Sequence, residues 1–407
     1  MADRRDATAR GAAAPAGPPL DLFAASAAPE SAASDGTASD GTASADTVPM
    51  LRDLTTFHLG GPAGRFVVAE DADTAVETLR LADDAGVPVF VLSGGSNVLV
   101  GDDGFPGLVL AMALRGVSVA RDGDDALVTA GAGEPWDGFV VRCLAEGFAG
   151  LESLSGVPGL VGATPVQNVG AYGAEVAQTI DSVRAYDRQT GQVRRFTCDE
   201  CGFGYRDSRF KRSRRPGQAS GRHVVLDVTF RLPAGPLSAP VRYAELARTL
   251  GVQPGERAPA LDVREAVLGL RRSKAMLVDE ADHDTWGAGS FFTNPVLTSE
   301  DAQRLPQSAP RFAQEDGTVK TSAAWLIEQA GVGKGFGVTA GGREILAPRP
   351  GLVATTSTRH VLALTNRGEA SAADVVALAR GVQTLVRGRF GVALAPEPVF
   401  VGIEAGV

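Results

Sequence analysis

Three short segments of this chain carry side chains that could do acid–base chemistry. Segment 289–295, Gly-Ser-Phe-Phe-Thr-Asn-Pro, places the hydroxyl of Ser290 beside two aromatic rings and an amide. Arg206 lies in Gly-Tyr-Arg-Asp-Ser, and Glu397 stands between two prolines. One isolated hydroxyl would mean little, but the three segments together offer a proton donor, a cation and a carboxylate.

A glycine-rich turn, Gly94-Gly95-Ser96-Asn97, directly follows a predicted buried strand. Glycines let the backbone approach a ligand closely, and consecutive amide N–H groups can form a nest for an anion. The turn is not G-x-G-x-x-G, and no Gly-Lys-Ser/Thr follows, so neither a Rossmann nor a Walker site is indicated. A plain tight turn remains the alternative interpretation.

A second glycine-rich run covers residues 155–173 and contains five glycines and two prolines with apolar spacers. Ordinary surface loops are more polar than this segment. The composition favours backbone wrapped around a large planar ligand, with Gln167 and Asn168 available to bond its heteroatoms. The alternative is a buried loop with a structural role only.

The bulk composition limits the class of protein. With 407 residues, of which 44% are hydrophobic, the chain is long enough for two or three globular domains. A net charge of −9 argues against a nucleic-acid binder, because such a protein needs a basic surface. The basic cluster 206–215 is local, and it is either a solvated loop or a site for a smaller anion.

Three cysteines and four scattered histidines predict neither a disulfide framework nor a metal site. Cys198 and Cys201 are spaced as C-x-x-C, but no thioredoxin-like context and no second pair accompany them. The small, odd number of cysteines is typical of the reducing cytoplasm. No stretch approaches the roughly 18 apolar residues of a transmembrane helix, so we expect no membrane association.

Residues 1–48 predict a disordered tail. They are dominated by Ala, Ser, Gly, Asp and Thr and contain a near repeat of Ser-Asp-Gly-Thr-Ala. Such a segment cannot bury enough apolar surface to offset its ordering entropy. It also lacks the basic start and apolar run of a secretory signal.

Strands mixed with helices are predicted from about Leu51 onward, which favours an α+β or α/β first unit. The predicted strands are 65–69, 87–92, 107–111, 126–130, 183–187, 192–196, 223–232 and 360–365. The predicted helices are 73–85 (capped by Asp73 or Thr74), 136–146, a stretch after Tyr243, 263–274, 321–329 and 372–390.

The order of these motifs resembles that of the UDP-N-acetylenolpyruvoylglucosamine reductase (MurB) family. Each motif is weak alone, but six in the same order span residues 51 to about 402. The Tyr-Arg-Asp-Ser sequence and Tyr243 in Val-Arg-Tyr-Ala are similar to the longer, type I form. The six motifs are Thr55-Thr56-Phe57, Gly94-Gly95-Ser96-Asn97, the run 156–173, segment 204–208, segment 289–295 and Pro396-Glu397.

This resemblance implies an α+β architecture. An FAD-binding fold of the vanillyl-alcohol-oxidase/PCMH type would form two subdomains, residues 49–115 with 399–407 and residues 116–275. A third, α/β domain, residues 276–398, would bind the substrate. The resemblance also implies a cytoplasmic enzyme, with a monomer as the default state.

The implied activity is the reduction of UDP-N-acetylglucosamine enolpyruvate to UDP-N-acetylmuramate in peptidoglycan precursor synthesis. Hydride would pass from NADPH, the co-substrate, to non-covalent FAD and then to the enolpyruvyl group. Arg206, Ser290 and Glu397 match the catalytic positions. The matching flavin contacts are Gly94, Gly95, Ser96, Asn97, Gln167, Asn168 and Gly173, and the matching contacts to the UDP phosphates are Tyr243, Lys274 and Asn294.

The implied reaction explains these residue types. Hydride addition to an enol ether leaves carbanion character beside the substrate carboxylate, and Arg206 can hold that carboxylate through two parallel hydrogen bonds. Glu397 would share a proton with the same carboxylate. Ser290 is a poor acid in water, but a positioned hydroxyl is adequate because its target is a strongly basic carbon.

Two other functions compete with this one. A flavin oxidase of the same superfamily would act on a small alcohol or amine, and many such enzymes bind FAD covalently through His or Cys. Neither residue type occurs in 93–98 or 155–173. A UDP-sugar-binding regulator would have no use for a proton donor such as Ser290. Segment 341–351 looks like an insertion, and His360 remains unassigned.

Overall fold

The computed structural model describes residues 48–342 and 345–403 of the chain. The predicted tail therefore lies outside the described residues, apart from Val48. The described elements fall into three groups along the sequence, each built around its own sheet or sheets.

The first group is a small parallel sheet with one helix, in the strand order β1-β4-β2. The helix begins at Asp71, whose carboxylate accepts a hydrogen bond from the Thr74 amide at 2.8 Å. The predicted caps, Asp73 and Thr74, were therefore wrong by two or three positions. The elements are β1 (Ala63–Ala69), α1 (Ala72–Asp84), β2 (Val89–Leu92), β3 (Val98–Val100) and β4 (Phe105–Met112).

The second group is an antiparallel sheet of five strands, ordered β10-β9-β11-β6-β5, with helices at its margins. Its central strand, β11, pairs with both β9 and β6 and is buried along most of its length. The elements are β5 (Val117–Asp122), β6 (Asp125–Gly131), α2 (Trp136–Ala145), β7 (Gly170–Ala171), β8 (Ala174–Glu175), β9 (Ile180–Asp187), β10 (Gln192–Thr197), α3 (Cys198–Cys201), α4 (Arg209–Arg212), β11 (His223–Pro233), α5 (Ala244–Leu250) and α6 (Ala260–Ser273).

The third group contains two small sheets, ordered β12-β14-β13 and β16-β15-β17-β18, and the second sheet packs against the long helix α9. Among the described residues, no helix is both long enough and apolar enough to cross a membrane. The elements are β12 (Val296–Leu297), α7 (Ser299–Arg304), β13 (Phe312–Ala313), β14 (Val319–Lys320), α8 (Ala323–Gln329), β15 (Gly337–Val338), β16 (Ile345–Leu346), β17 (Ala354–Thr356), β18 (Leu364–Asn366), α9 (Ala372–Phe390) and β19 (Val399–Val401).

The chain returns to the first group at its C-terminal end. β19 runs parallel to β3, with Val399 opposite Val98 and Val401 opposite Val100. The amide of Val399 donates to the carbonyl of Asn97 at 2.9 Å. This pairing carries Pro396–Pro398 to the edge of the glycine-rich turn.

Aromatic side chains fill the centre of the second group. The rings of Trp136, Phe139 and Phe230 lie 5.1–6.0 Å apart and are all buried. The indole N–H of Trp136 donates to the carbonyl of Leu154 at 2.9 Å, so the buried ring leaves no polar atom unsatisfied.

The predicted strand 360–365 was wrong except at its end. β18 begins at Leu364, because the preceding residues turn: the amide of Ala363 donates to His360 at 3.2 Å. β5 was missed, because five of its six residues are exposed and no alternation of apolar residues marks it. The other predicted strands and helices were confirmed, with ends that differ by a few residues.

The cysteines Cys143, Cys198 and Cys201 are free thiols. Burial raises the pKa of Cys143 and of Cys201 to about 12, so neither is a thiolate near neutral pH. Within residues 48–342 and 345–403, no group of His, Cys, Asp and Glu is arranged to hold a metal ion.

Asp187 should stabilise the second group in a pH-dependent way. It is fully buried, and Arg222 donates to both of its oxygens, at 2.6 and 2.5 Å. The Arg222 hydrogen bonds hold the pKa of Asp187 well below its usual range. We expect Asp187→Asn to lower the free energy of unfolding by about 2 kcal/mol at pH 7. This loss is small for a buried ion pair because Arg222 is partly exposed.

The difference in unfolding free energy between the unsubstituted protein and Asp187→Asn should persist down to about pH 4 and shrink at lower pH. The pKa of Asp187 is lowered in the folded state, so its pairing with Arg222 stabilises the protein only while the carboxylate is ionised. Urea unfolding followed by tryptophan fluorescence at pH 7 and pH 3.5 measures it. Asp84→Asn is the matched control, since that carboxylate is 66% exposed. Equal losses for both variants would contradict the assignment.

Candidate functional site

The segment of Ser290 and the segment of Glu397 lie side by side. The amide of Glu397 donates to the carbonyl of Phe291 at 2.8 Å, and Phe292 forms a β-bridge with Pro396. The side-chain amide of Asn97 reaches the carbonyl of Glu397 at 3.5 Å. The first group, through Asn97, and the third group, through Phe291, thus meet at Glu397.

Arg206 completes this arrangement. Its Nε lies 3.2 Å from Oε1 of Glu397, and its Nη2 donates to the carbonyl of Gly170 at 2.9 Å. The two side chains are 24% and 13% exposed, so both are largely withdrawn from water yet still accessible. The structure therefore brings two of the three predicted catalytic side chains into direct contact.

Ser290 is half-buried and directly precedes Phe291, whose carbonyl accepts from the amide of Glu397. Its neighbour Phe291 is held on both sides, because its amide donates to Leu362 at 2.8 Å and its carbonyl accepts from Glu397. The hydroxyl of Ser290 makes no hydrogen bond to any residue that the structure describes. A fixed backbone with an uncommitted hydroxyl suits a group that must donate a proton to a ligand.

Strained backbone concentrates around the predicted site residues. Apart from glycines, five described residues have a positive φ, and His58 is the one that lies elsewhere. Left-handed backbone costs a non-glycine residue about 1–3 kcal/mol, so it persists only where neighbours enforce it. The four residues at or beside the site are Asn168 (φ 42°), Tyr172 (φ 48°), Arg206 (φ 52°) and Ala275 (φ 52°).

The two glycine-rich segments pack against each other. A Cβ on Gly94 would lie 2.5 Å from the Cα of Gly159, and one on Gly95 would lie 1.9 Å from the carbonyl oxygen of Leu54. The hydroxyl of Ser96 donates to Pro158 at 3.1 Å. No larger residue fits at Gly94 or Gly95 without moving backbone.

This turn has hydrogen-bond donors to spare for a ligand. Within the described part of the chain, the amide N–H groups of 94–97 donate to no protein acceptor. The hydroxyl of Ser93 is buried and likewise has no partner there. Buried donors that lack partners fit the anionic diphosphate of a dinucleotide cofactor such as FAD.

Gln167 and Asn168 lie in the second segment, but the protein uses them differently. Asn168 is 1% exposed, and its amide donates to Glu175 at 2.8 Å and to Gly204 at 2.9 Å. The Asn168 side chain therefore braces the loop that carries Arg206. Gln167 accepts a hydrogen bond from Lys211 at 3.0 Å, which the sequence analysis did not anticipate.

A second polar cluster lies between the glycine-rich run and α6. Nζ of Lys274 lies 2.6 Å from the carboxylate of Glu245 and above the ring of Tyr172, which packs edge-on against Tyr243 at 5.6 Å. Burial opposes the charge on Lys274, but the hydrogen bond with Glu245 prevails and its pKa is raised. The ammonium of Lys274 therefore stays charged. Gly173 lies close to Tyr243, since a Cβ on Gly173 would be 3.2 Å from the backbone nitrogen of Tyr243.

Asn294 lies elsewhere. Its side-chain oxygen accepts a hydrogen bond from the backbone amide of Ala323 at 2.9 Å, at the start of α8. The backbone N–H of Asn294 donates to the hydroxyl of Tyr205 at 3.4 Å. The ammonium of Lys320 lies 4.6 Å above the Tyr205 ring. Asn294 thus adjoins the Arg206 loop through Tyr205, whereas its polar contacts do not include Lys274 or Tyr243.

His360 faces the second cluster and was left unassigned from sequence. Burial, together with the charges of Lys274 and Lys334, lowers its pKa to about 4. The imidazole is therefore neutral at neutral pH and can both donate and accept hydrogen bonds. A histidine with no neighbouring motif gives no sequence signal for this position.

The basic cluster 206–215 divides between two faces. Arg206 pairs with Glu397 at the candidate site, and the ammonium of Lys211 bonds to uncharged oxygens of Arg206 and Gln167. Arg212 pairs with Asp207, and it lines an open cleft of about 720 Å³ together with Arg209 and Arg215. The solvated-loop interpretation therefore suits the cleft side of the cluster, whereas Arg206 and Lys211 adjoin the candidate site.

Comparison with known proteins agrees with this geometry. Residues 63–197 match a family model described as an FAD binding domain. Residues 280–401 match the model of the C-terminal domain of UDP-N-acetylenolpyruvoylglucosamine reductase. The predicted cofactor turn falls in the first match, and Ser290 and Glu397 fall in the second.

Curated proteins named UDP-N-acetylenolpyruvoylglucosamine reductase are similar to this chain over most of its length. The protein from Cutibacterium acnes is 52% identical over 353 residues, which cover 86% of this chain and 89% of the relative. The one from Saccharopolyspora erythraea is 51% identical over 358 residues, covering 85% and 93%.

The crystal structure of UDP-N-acetylenolpyruvylglucosamine reductase (MurB) from Thermus caldophilus has the same overall architecture. It matches with a TM-score of 0.57 and 26% identity, covering 87% of this chain and 98% of that chain. Together with the FAD binding domain match, it confirms the predicted α+β fold with an FAD-binding part.

The packing of the glycine-rich turn can be tested by Gly95→Ala. Gly95 has φ 60° and no space for a Cβ, so the turn must shift and lose its alignment of N–H groups. We expect the flavin content of the purified protein to fall at least tenfold, measured as the ratio of absorbance near 450 nm to that at 280 nm.

Gly123→Ala is the matched control, because Gly123 has φ 63° but nothing within 4 Å of a new Cβ. It should cost about 1 kcal/mol of stability and keep its flavin. Circular dichroism establishes that both variants fold. Full flavin content in a folded Gly95→Ala protein would refute the assigned role.

Proposed function

This chain belongs to the UDP-N-acetylenolpyruvoylglucosamine reductase family, and on that premise we propose which residues carry the reduction. The protein is an FAD-dependent, NADPH-using reductase of UDP-N-acetylglucosamine enolpyruvate, a small-molecule substrate, and its product is UDP-N-acetylmuramate for peptidoglycan synthesis. Bound FAD supplies the hydride, which it receives from NADPH. The curated relatives reported above carry the reductase name, which favours this activity over the alternative of an alcohol or amine oxidase.

Arg206 binds the carboxylate of the enolpyruvyl group in this proposal. A guanidinium has five N–H donors. Nη2 donates one N–H to Gly170, and Nε lies in ion-pair contact with Glu397, so other N–H groups are left for the substrate. Negative charge that develops beside the carboxylate during reduction is then stabilised by a cation already in place, without reorganisation of water. The contact of Arg206 with Glu397 beside Ser290 is the observation that carries the proposal.

Glu397 limits the charge of the substrate carboxylate. A second carboxylate that binds Arg206 comes close to Glu397, and two like charges at that distance favour a shared proton. The shared proton neutralises part of the developing charge. Removing the Glu397 carboxylate would therefore weaken stabilisation of the transition state more than binding of the substrate.

Ser290 donates the proton that completes the reduction at carbon. The buried rings of Phe291 and Phe292 and the hydrogen bonds of Phe291 hold its backbone in place. Its hydroxyl has no competing partner among residues 48–342 and 345–403. Positioning is what a weak acid needs, because proton transfer to a basic carbon is limited by geometry more than by acidity.

The remaining contacts follow the two clusters. Gly94, Gly95, Ser96, Asn97, Gln167, Asn168 and Gly173 face or frame the cofactor. For Asn168 the contribution is a supporting one, because its side-chain donors are already used. Lys274 and Tyr243 bind the UDP diphosphate, which must compete with Glu245 for the ammonium. Asn294 would reach the substrate from the Tyr205 side.

We also propose the domain division 49–115 with 399–407, 116–275 and 276–398. The separate sheets of the three parts and the pairing of β19 with β3 support it. A cytoplasmic, monomeric enzyme is part of the same proposal. The supply of NADPH and of a nucleotide-activated sugar in the cytoplasm supports the location.

The role of Ser290 predicts a separation of the two half-reactions. Ser290→Ala should keep flavin reduction by NADPH within a few-fold of normal, because no proton donor is needed there. Reoxidation of the flavin by UDP-N-acetylglucosamine enolpyruvate should slow by about 10²-fold or more. Anaerobic stopped-flow absorbance near 450 nm measures both rates on one preparation.

Ser299→Ala is the matched control, since this exposed hydroxyl bonds only to the carbonyl of Gly317 within the third group. It should leave both rates unchanged. Equal loss of both half-reactions in Ser290→Ala would exclude the proton-donor role. If the unsubstituted protein holds flavin that the substrate fails to reoxidise, the assigned substrate itself is wrong.

A further inference from the structure

We propose that Lys211 is a positioning residue, which holds Arg206 in its left-handed conformation and orients the amide of Gln167 beside it. The inference rests on the proposed function of Arg206. Nζ of Lys211 donates to the carbonyl oxygen of Arg206 at 2.8 Å and to Oε1 of Gln167 at 3.0 Å. One ammonium therefore joins the proposed substrate cation to the proposed flavin segment.

The position of Lys211 is itself fixed at the start of α4. The hydroxyl of Ser208 accepts from the amide of Lys211 at 3.1 Å and donates to the carbonyl of Val166 at 2.7 Å. Ser208 is fully buried, so α4 is anchored to the residue that precedes Gln167. The Lys211 side chain extends back from this anchor over the turn of Arg206.

Arg206 needs such support because its backbone is strained. At φ 52° it lies in the left-handed region that long side chains rarely adopt. Gly204 and Asp207 close the turn with paired backbone hydrogen bonds of 3.0 and 3.1 Å, but these do not engage Arg206 itself. A charge-assisted hydrogen bond from Lys211 to the Arg206 carbonyl stabilises this one geometry. Without it, Arg206 can relax and its guanidinium leaves Glu397.

Lys211 also determines which end of the Gln167 amide faces the ligand space. An ammonium can only donate, so the atom it contacts must be the amide oxygen. The amide nitrogen of Gln167 then points the other way, as a donor. Gln167 is only 8% exposed, so the orientation is locked.

Burial of this ammonium also indicates a functional demand. Burial lowers the pKa of Lys211, partly offset by the charges of Glu397 and Asp207 and reinforced by those of Arg206 and Arg214. A polar, uncharged side chain would satisfy the fold at a lower cost in desolvation. The ammonium of Lys211 is nevertheless kept between two acceptors, the Arg206 carbonyl and the Gln167 amide oxygen. We therefore infer that its charge serves to align these two groups.

A double-mutant cycle tests the proposal. Lys211→Met should slow reoxidation of reduced flavin by UDP-N-acetylglucosamine enolpyruvate about 100-fold, since small misplacements of a catalytic group cost that much. In an Arg206→Ala background the same change should cost less than about 3-fold, because the group that it positions is gone. Additive losses in the two backgrounds would overturn the proposal.

Two further variants separate positioning from folding and from general charge. Lys211→Arg keeps a charged donor and should recover at least tenfold of the rate lost in Lys211→Met, whereas Lys211→Gln should not. Arg214→Met removes a cation from the same loop, where it contacts only the exposed carbonyl of Gln218, and should behave as the unsubstituted protein does. A rate in Lys211→Arg no better than in Lys211→Gln would count against the proposal.

A crystal structure of Lys211→Met gives a readout that does not depend on activity. We expect Arg206 to leave the left-handed region and its contact with Glu397 to open. Retention of both would overturn the positioning role even if turnover is lost. If instead the unsubstituted enzyme fails to reduce the enolpyruvyl substrate, the proposed function fails, while this structural comparison still decides the role of Lys211.

Discussion

The return of the chain end to the first sheet is the constraint on which the site depends. The parallel pairing of β19 with β3 holds Glu397 beside Asn97 of the glycine-rich turn, and the hydrogen bond to Phe291 ties it to the third group. Residues separated by about 300 positions meet there, because Asn97 accepts from the backbone amide of Val399 and its side chain donates to the carbonyl of Glu397. Such contacts are directional and short, so they place the Glu397 carboxylate more reliably than side-chain packing alone.

Backbone strain is the second feature that organises the candidate site, and it occurs in the two loops that carry Asn168 and Arg206. Asn168 and Arg206 both adopt left-handed backbone. The side chain of Asn168 donates to Gly204 in the loop of Arg206, and Lys211, which bonds to the Arg206 carbonyl, donates to Gln167 in the loop of Asn168. Each loop thus enforces the conformation of the other. Strain of this kind persists only where the surroundings over-determine it, and here the surroundings are the proposed cofactor and substrate contacts.

Sequence patterns were sufficient where local physics dominates and insufficient where distant contacts decide. The periodicity of α9 and the buried run of β11 identify those elements directly. Lys211 was hidden in a cluster of basic residues whose composition indicates a solvated loop, and only the fold shows that its ammonium is enclosed. Glu245 gave no signal either, because its meaning depends on Lys274, which lies 29 positions away.

The charge arrangement explains how a buried site can accept a highly anionic substrate. At one end, Arg206 pairs with Glu397, while Lys211 bonds to uncharged oxygens of Arg206 and Gln167, so the positive charge there is only partly neutralised before an enolpyruvyl carboxylate binds. At the other end, Lys274 is already neutralised by Glu245, so the proposed binding of the substrate diphosphate to Lys274 requires it to displace the Glu245 carboxylate. Pre-paired cations avoid the penalty of isolated buried charge while the site is empty. In the proposed function, the less neutralised end is therefore the one that attracts the substrate carboxylate, and it adjoins the segment of Ser290, the proposed proton donor.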